Sequence, residues 1–111
     1  NSPQNPTGSV MTNDEIKATY EIAEKHDLFL YSDEIYSKLI YDNNKYSSPS
    51  IFDKCKDRTI LADGFSKAYA MTGWRLGSVV GPSDIIEKML KNTNDVLLLH
   101  IPIILTIQIL Q

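Results

Sequence analysis

The sequence predicts an α/β fold, and three observations carry that expectation. Apolar runs without polar alternation stand at Leu28–Tyr31, Thr59–Ala62 and Leu76–Val80, the pattern of strands covered on both faces. Helical signals lie between and after them, and their alternation with the strands argues for a sheet with helical crossovers. The 111 residues are enough for about one small domain.

Asn1 to Gly8 reads NSPQNPTG, and two prolines and a glycine in eight residues mark a turn. A helix start follows. Thr12 and Glu15 fit a reciprocal capping box, and Met11 and Ile16 fit the hydrophobic staple across it. Ile16, Tyr20 and Ala23 continue an apolar stripe at helical spacing, and the helix should stop near His26-Asp27. The first strand is expected at Leu28–Tyr31, followed by Ser32-Asp33-Glu34-Ile35-Tyr36. Residues 42–50, DNNKYSSPS, read as a polar surface loop. Ile51–Lys56 suits a short helical turn. After the strands at 59–62 and 76–80, Ser83 is placed to cap a last helix, with Asp84 in its first turn and Lys88 and Lys91 beyond. Val96 to Gln111, VLLLHIPIILTIQILQ, is apolar but shorter than the ~20 residues of a spanning helix, and a shifted reading frame or a degenerated end would account for it.

Charge is nearly balanced, with 11 basic and 14 acidic residues, which gives no electrostatic reason to expect nucleic acid or an anionic membrane as partner. Cys55 is the lone cysteine, so no internal disulfide forms. Its neighbours Lys54 and Lys56 leave two readings open, a slightly acidified thiol or an incidental residue. No charged-then-apolar leader opens the chain. The first residue is Asn and lies inside a motif, as expected of a piece of a longer protein.

The chemistry concentrates in Asp63 to Gly77, DGFSKAYAMTGWRLG. A strand ends near Gly64 and presents Ser66-Lys67, and Arg75 follows eight residues on. An amine at a strand end can form a Schiff base. A guanidinium close behind can grip a phosphate through two parallel hydrogen bonds. Asn5 and Asp33 are 28 residues apart and Asp33 and Lys67 are 34 apart, each about one strand–helix–strand unit. All three residues can therefore converge on the carboxyl edge of the sheet, where open α/β sheets bind ligands.

Four motifs in this order resemble class I/II aminotransferases, the pyridoxal 5'-phosphate (PLP) enzymes of the aspartate aminotransferase fold (fold type I). NSPQNPTG is similar to their Asn-Pro-Thr-Gly segment, SDEIY to their Asp-x-x-Tyr segment, FSK to the Schiff-base lysine and GWRLG to the phosphate arginine. The likeness spans about residues 1–95 and is greatest to the branch containing prokaryotic aspartate aminotransferases. It implies that 1–95 is the central part of the PLP-binding large domain, truncated at both ends, with a mainly parallel sheet, an antiparallel strand at about 76–80, and 96–111 as a divergent tail. It implies Lys67 as the catalytic residue on the cofactor aldehyde, Asn5 and Tyr36 at its phenolic oxygen, Asp33 at the ring nitrogen and Arg75 at the phosphate. Ser66 is a further candidate, because the serine that many members carry three residues before the lysine is here Gly64. A cis bond at Asn5-Pro6 is expected on the same ground. The resemblance also implies amino acid and 2-oxo acid substrates, a homodimer and a cytoplasmic location, with the ring-stacking aromatic and the substrate-carboxylate arginine outside this chain. A carbon–sulfur lyase or a cyclopropane-carboxylate synthase on the same scaffold would keep the same motifs, and an inactive truncated product is a third reading.

Overall fold

The computed structural model describes residues 1–96 and 104–106. The elements run α1 (Asn13–Lys25), β1 (Leu30–Asp33), α2 (Ser50–Asp53), β2 (Thr59–Gly64), a 3-10 turn (Thr72–Trp74), β3 (Gly77–Val80), α3 (Ser83–Val96) and β4 (Ile104–Thr106). The sheet order is β1-β2-β3-β4. β1 and β2 are parallel, β2 and β3 antiparallel, and β3 and β4 parallel. The expected α/β sheet is present, and its strand near 76–80 is antiparallel to β2 as expected; β4 runs with it, so β3 and β4 both oppose β1 and β2. β4 lies within the apolar 96–111 segment, and Val96 ends α3; the rest of that segment is outside the described residues.

α1 starts as its sequence dictates. The Thr12 hydroxyl accepts from the Glu15 amide at 3.3 Å, and the Glu15 carboxylate accepts from the Thr12 amide at 2.8 Å. These reciprocal bonds satisfy two of the helix's free N–H groups. Ile16, Tyr20 and Ala23 are its buried residues. Tyr20 packs on Phe52 of α2, with ring centroids 5.0 Å apart.

β1 begins two residues later than the apolar run suggests. His26 caps α1, Asp27 turns left-handed at φ 51°, and the Leu28 amide returns to the Ala23 carbonyl at 2.8 Å. That closure takes up Leu28 and Phe29. The first ladder bond is then Leu30 N–H to the Arg58 carbonyl, and the register Leu30↔Thr59 through Asp33↔Ala62 carries the strand into the polar Ser32-Asp33. Leu28, Phe29 and Tyr31 are more than half exposed, so within this chain these residues are not covered as a two-sided strand would be.

Three other expectations change. The 42–50 loop is not wholly a surface loop: Ser48 and Pro49 are buried where it enters α2. Ser83 is the first residue of α3 and not its cap, since the Pro82 carbonyl accepts from Ile85 and Ile86 at 3.0 Å. β2 runs to Gly64, two residues past the apolar run, because Asp63 and Gly64 pair with Ser78 and Gly77 of β3. The start of β2 is the most enclosed point of the sheet, with Thr59 0% exposed, and Ile86 of α3 is 2% exposed.

Asp53 fixes that start. Its Oδ1 accepts from the Cys55 amide at 3.0 Å, and its Oδ2 from the Arg58 and Thr59 amides at 3.0 and 2.9 Å. The three bonds wrap the chain through left-handed Lys54 and Cys55 into β2. Burial alone would push the Asp53 carboxyl up, but the amide bonds together outweigh it and hold it below its ordinary value.

Candidate active site

β1 and β2 are parallel neighbours, so their carboxyl ends, Asp33 and Gly64, lie on one edge of the sheet. From β1 the chain turns at once: the Asp33 carboxylate accepts from the Ile35 amide at 3.2 Å, and the Ser37 amide donates to the Glu34 carbonyl at 2.8 Å. This tight turn carries Tyr36. The Tyr36 hydroxyl accepts from the Asn5 side-chain amide at 3.1 Å, joining residues 31 apart in sequence. No described strand leads into Asn5; the NSPQNPTG turn brings it to the edge. Its Ser2–Pro3 and Asn5–Pro6 bonds are cis, the second as expected, and the Ser2 hydroxyl accepts from the Met11 amide at 2.8 Å.

Lys67 lies three residues past β2, exposed, with its Nζ 5.8 Å from the centre of the Tyr36 ring. This is within cation–π range. The segment 65–76 that bears it leaves and returns at the Gly64–Gly77 pair, and one more bond, Phe65 N–H to the Leu76 carbonyl, narrows its base. Within it the Phe65 carbonyl accepts from Tyr69 and Met71, and the Lys67 carbonyl from Ala70. Arg75 closes the 3-10 turn in a left-handed conformation, φ 53°, a region sparsely used by residues with a side chain. Its guanidinium is exposed and makes one long bond, Nη1 to the Thr72 carbonyl at 3.4 Å, so most of its donors remain available to an anion. Ser66 is half-buried beside Lys67.

The structure therefore brings Asn5, Tyr36 and Lys67 into contact, with Asp33 on the same edge. Arg75 and Ser66 sit on the lysine segment. An amine, a phenol, a side-chain amide, a carboxylate and a guanidinium are together a set of groups whose chemistry fits PLP. Gly64, where many members carry serine, is crowded for a side chain. A Cβ there would stand 2.8 Å from Ile35 Cδ1 and 3.3 Å from the Leu76 carbonyl oxygen, while its amide donates to Asp63 Oδ1 at 2.7 Å.

Sequence reasoning missed two carboxylates. Glu34 is 6% exposed although it lies in the same SDEIY motif, and Asp53 is 7% exposed. Asp53 has no periodic or motif signal, and the motif that contains Glu34 does not mark it as buried; both are recognisable only from the groups folded around them. Cys55 is settled by burial, which, with the nearby Asp53 and Glu34 charges, pushes its thiol up to about 11. It is not an acidified thiol. Among the described residues no group of His, Cys, Asp or Glu could hold a metal ion, and no helix is long and apolar enough to cross a membrane.

Fold and side chains together define a class of protein: an α/β sheet with a lysine amine near a phenol ring past the end of one strand, a carboxylate at the end of the parallel neighbour and a guanidinium on the lysine segment. The chain belongs to the family Aminotransferase class I and II, which matches residues 1–105 and thus extends ten residues beyond the likeness read from the motifs. That family depends on PLP. Over 91 residues the chain is 52% identical to an aspartate aminotransferase of Pyrococcus abyssi, covering 82% of this chain and 23% of that protein. The aromatic aminotransferase of Pyrococcus horikoshii OT3 superposes with a TM-score of 0.80 at 45% identity, over 85% of this chain and 25% of that one. The aspartate aminotransferase of Thermus thermophilus with maleate gives 0.79 at 38%, over 85% and 24%. The chain spans about a quarter of the length of these relatives.

Proposed function

We propose that this chain supplies the cofactor-holding part of a PLP-dependent aminotransferase, which moves an amino group between an amino acid and a 2-oxo acid. The observation that carries the reading is the Asn5–Tyr36–Lys67 cluster at the shared carboxyl edge of β1 and β2. When bound, PLP supplies a conjugated ring that withdraws electrons from the substrate α-carbon. Lys67 Nζ is the amine for its aldehyde carbon. Once freed, the same amine would take the proton from the substrate α-carbon and deliver it to the cofactor's carbonyl carbon, as base and then acid. Asp33 keeps the ring nitrogen protonated, Tyr36 and Asn5 donate to the phenolic oxygen, and Arg75 holds the phosphate in two-pronged fashion. Ser66 is a further phosphate donor. The large domain spans 1–95 in this proposal, the assembly is a homodimer and the compartment is the cytoplasm, all three resting on the resemblance to the family.

The test is borohydride reduction of the full chain with PLP, followed by peptide mapping. The pyridoxyl group should sit on the peptide containing Lys67. Label on Lys38, Lys54 or Lys56, with Lys67 unmodified, would overturn the assignment.

A further inference from the structure

Glu34 has no part in the proposed chemistry, yet it is one of the few buried charged side chains described, 6% exposed. Its carboxylate Oε1 accepts from the Ser32 hydroxyl at 3.1 Å and from the buried Ser48 hydroxyl. Ser48 in turn bonds Ser50 Oγ at 2.8 Å and accepts from the Ser50 amide at 3.2 Å, at the entrance to α2. No cation pairs with Glu34 among the described residues. The nearby Tyr46 phenol, raised well above its ordinary range first by burial and then by Glu34, stays neutral.

The backbone of Glu34 is engaged as well. Its amide donates to the Ala62 carbonyl of β2 at 2.7 Å, and its carbonyl accepts from Ser37. One residue thus ties together the lysine strand, the turn that bears Tyr36, and the loop leading to α2. It lies between Asp33 and Tyr36, the residues proposed for the cofactor's ring nitrogen and phenolic oxygen.

We propose that Glu34 is a positioning residue that, through its bonds to Ser32 and Ser48, holds the 33–37 turn so that Asp33 and Tyr36 face Lys67 in working register. The inference rests on the PLP reading of the site. A buried carboxylate is costly to strip of the two hydroxyls that meet its Oε1, so the turn follows the loop.

The test compares Glu34→Gln and Glu34→Ala in the full chain, loaded with PLP. Glutamine keeps an acceptor oxygen for both serines; alanine removes it. Alanine should weaken PLP binding about tenfold, the scale expected of a sub-ångström misplacement. It should also shift the pH midpoint of the bound cofactor's visible absorbance by about half a unit or more, because the hydrogen bonds to its phenolic oxygen change. Without PLP, the Ile35 and Ser37 amides should exchange faster with solvent. Glutamine should stay within about twofold of wild type in PLP binding. If Glu34→Ala does not fold, Ser48→Ala removes one donor only and takes the same measurements. A folded alanine variant with the wild-type absorbance midpoint and affinity would overturn the proposal, whatever its melting temperature. So would a glutamine variant as impaired as the alanine one. If wild-type protein is not labelled at Lys67, the functional reading fails first; if it is labelled but the variants match it, only this inference fails.

Discussion

Replacing Asp53 should release the start of the lysine strand. Its two carboxylate oxygens hold three amides at 2.9 to 3.0 Å, with Oδ2 taking two and Oδ1 one. A hydrogen bond to a charged group contributes about 1.5 kcal/mol net. Three of them bound the loss in Asp53→Ala at about 4.5 kcal/mol, reduced where freed amides reach water. Asp53→Asn keeps one acceptor oxygen; if that oxygen faces Arg58 and Thr59, only the Cys55 bond is lost, at about 1.5 kcal/mol. The pH dependence separates this from mere loss of packing. The folded carboxyl titrates below its ordinary 3.8, so its contribution is full above that value and is lost as pH falls through the folded pKa. Urea unfolding of the full chain at pH 7 and again near pH 3 reads both effects. The gap between wild type and Asp53→Ala should be wide at pH 7 and narrow in acid. A gap under about 0.5 kcal/mol at pH 7, the range of ordinary surface substitutions, would refute the reasoning. A gap unchanged down to pH 3 would refute its electrostatic part.

Gly64→Ser should destabilise by about 1–3 kcal/mol through overpacking against Ile35, and Ile35→Val in the same chain should recover much of it; additive losses in the double variant would contradict this. Cys55 in the folded chain should be alkylated at pH 8 at least about 100-fold more slowly than after unfolding, because its thiol is buried and pushed up to about 11; equal rates would count against the burial. Arg75→Lys should weaken PLP binding about 10- to 100-fold in equilibrium dialysis, since an ammonium cannot reproduce a two-pronged phosphate contact; unchanged affinity would remove Arg75 from the site.

What was legible in the sequence was local or chemically distinctive. Thr12 and Glu15 meet across one helical turn, so their capping box needs no tertiary information. Lys67 and Arg75 stand out because FSK and GWRLG resemble the lysine and arginine motifs of the aminotransferases; an amine and a guanidinium eight residues apart would not do so alone. The start of β1 was not legible, because it is decided by the Leu28–Ala23 closure and by pairing with a strand about thirty residues away. Ser48 read as one more polar loop residue; its burial depends on a carboxylate fourteen positions earlier. Asp53 looks like any acidic residue at the end of a short helix, and only the folded backbone reveals three amides aimed at it.

The excursion between Gly64 and Gly77 works as a caliper. Its two jaws, the start that carries Lys67 and the end that carries Arg75, are clamped together at one antiparallel pair, with Phe65–Leu76 as a second rivet. Movement at the tip, where Gly73 has open space around it, has only short lever arms to act through. The separation of the Lys67 and Arg75 ends of the loop is then set by a strand register and not by the length of the intervening chain. Such a loop can gain or lose residues at its tip while the gauge it keeps stays constant.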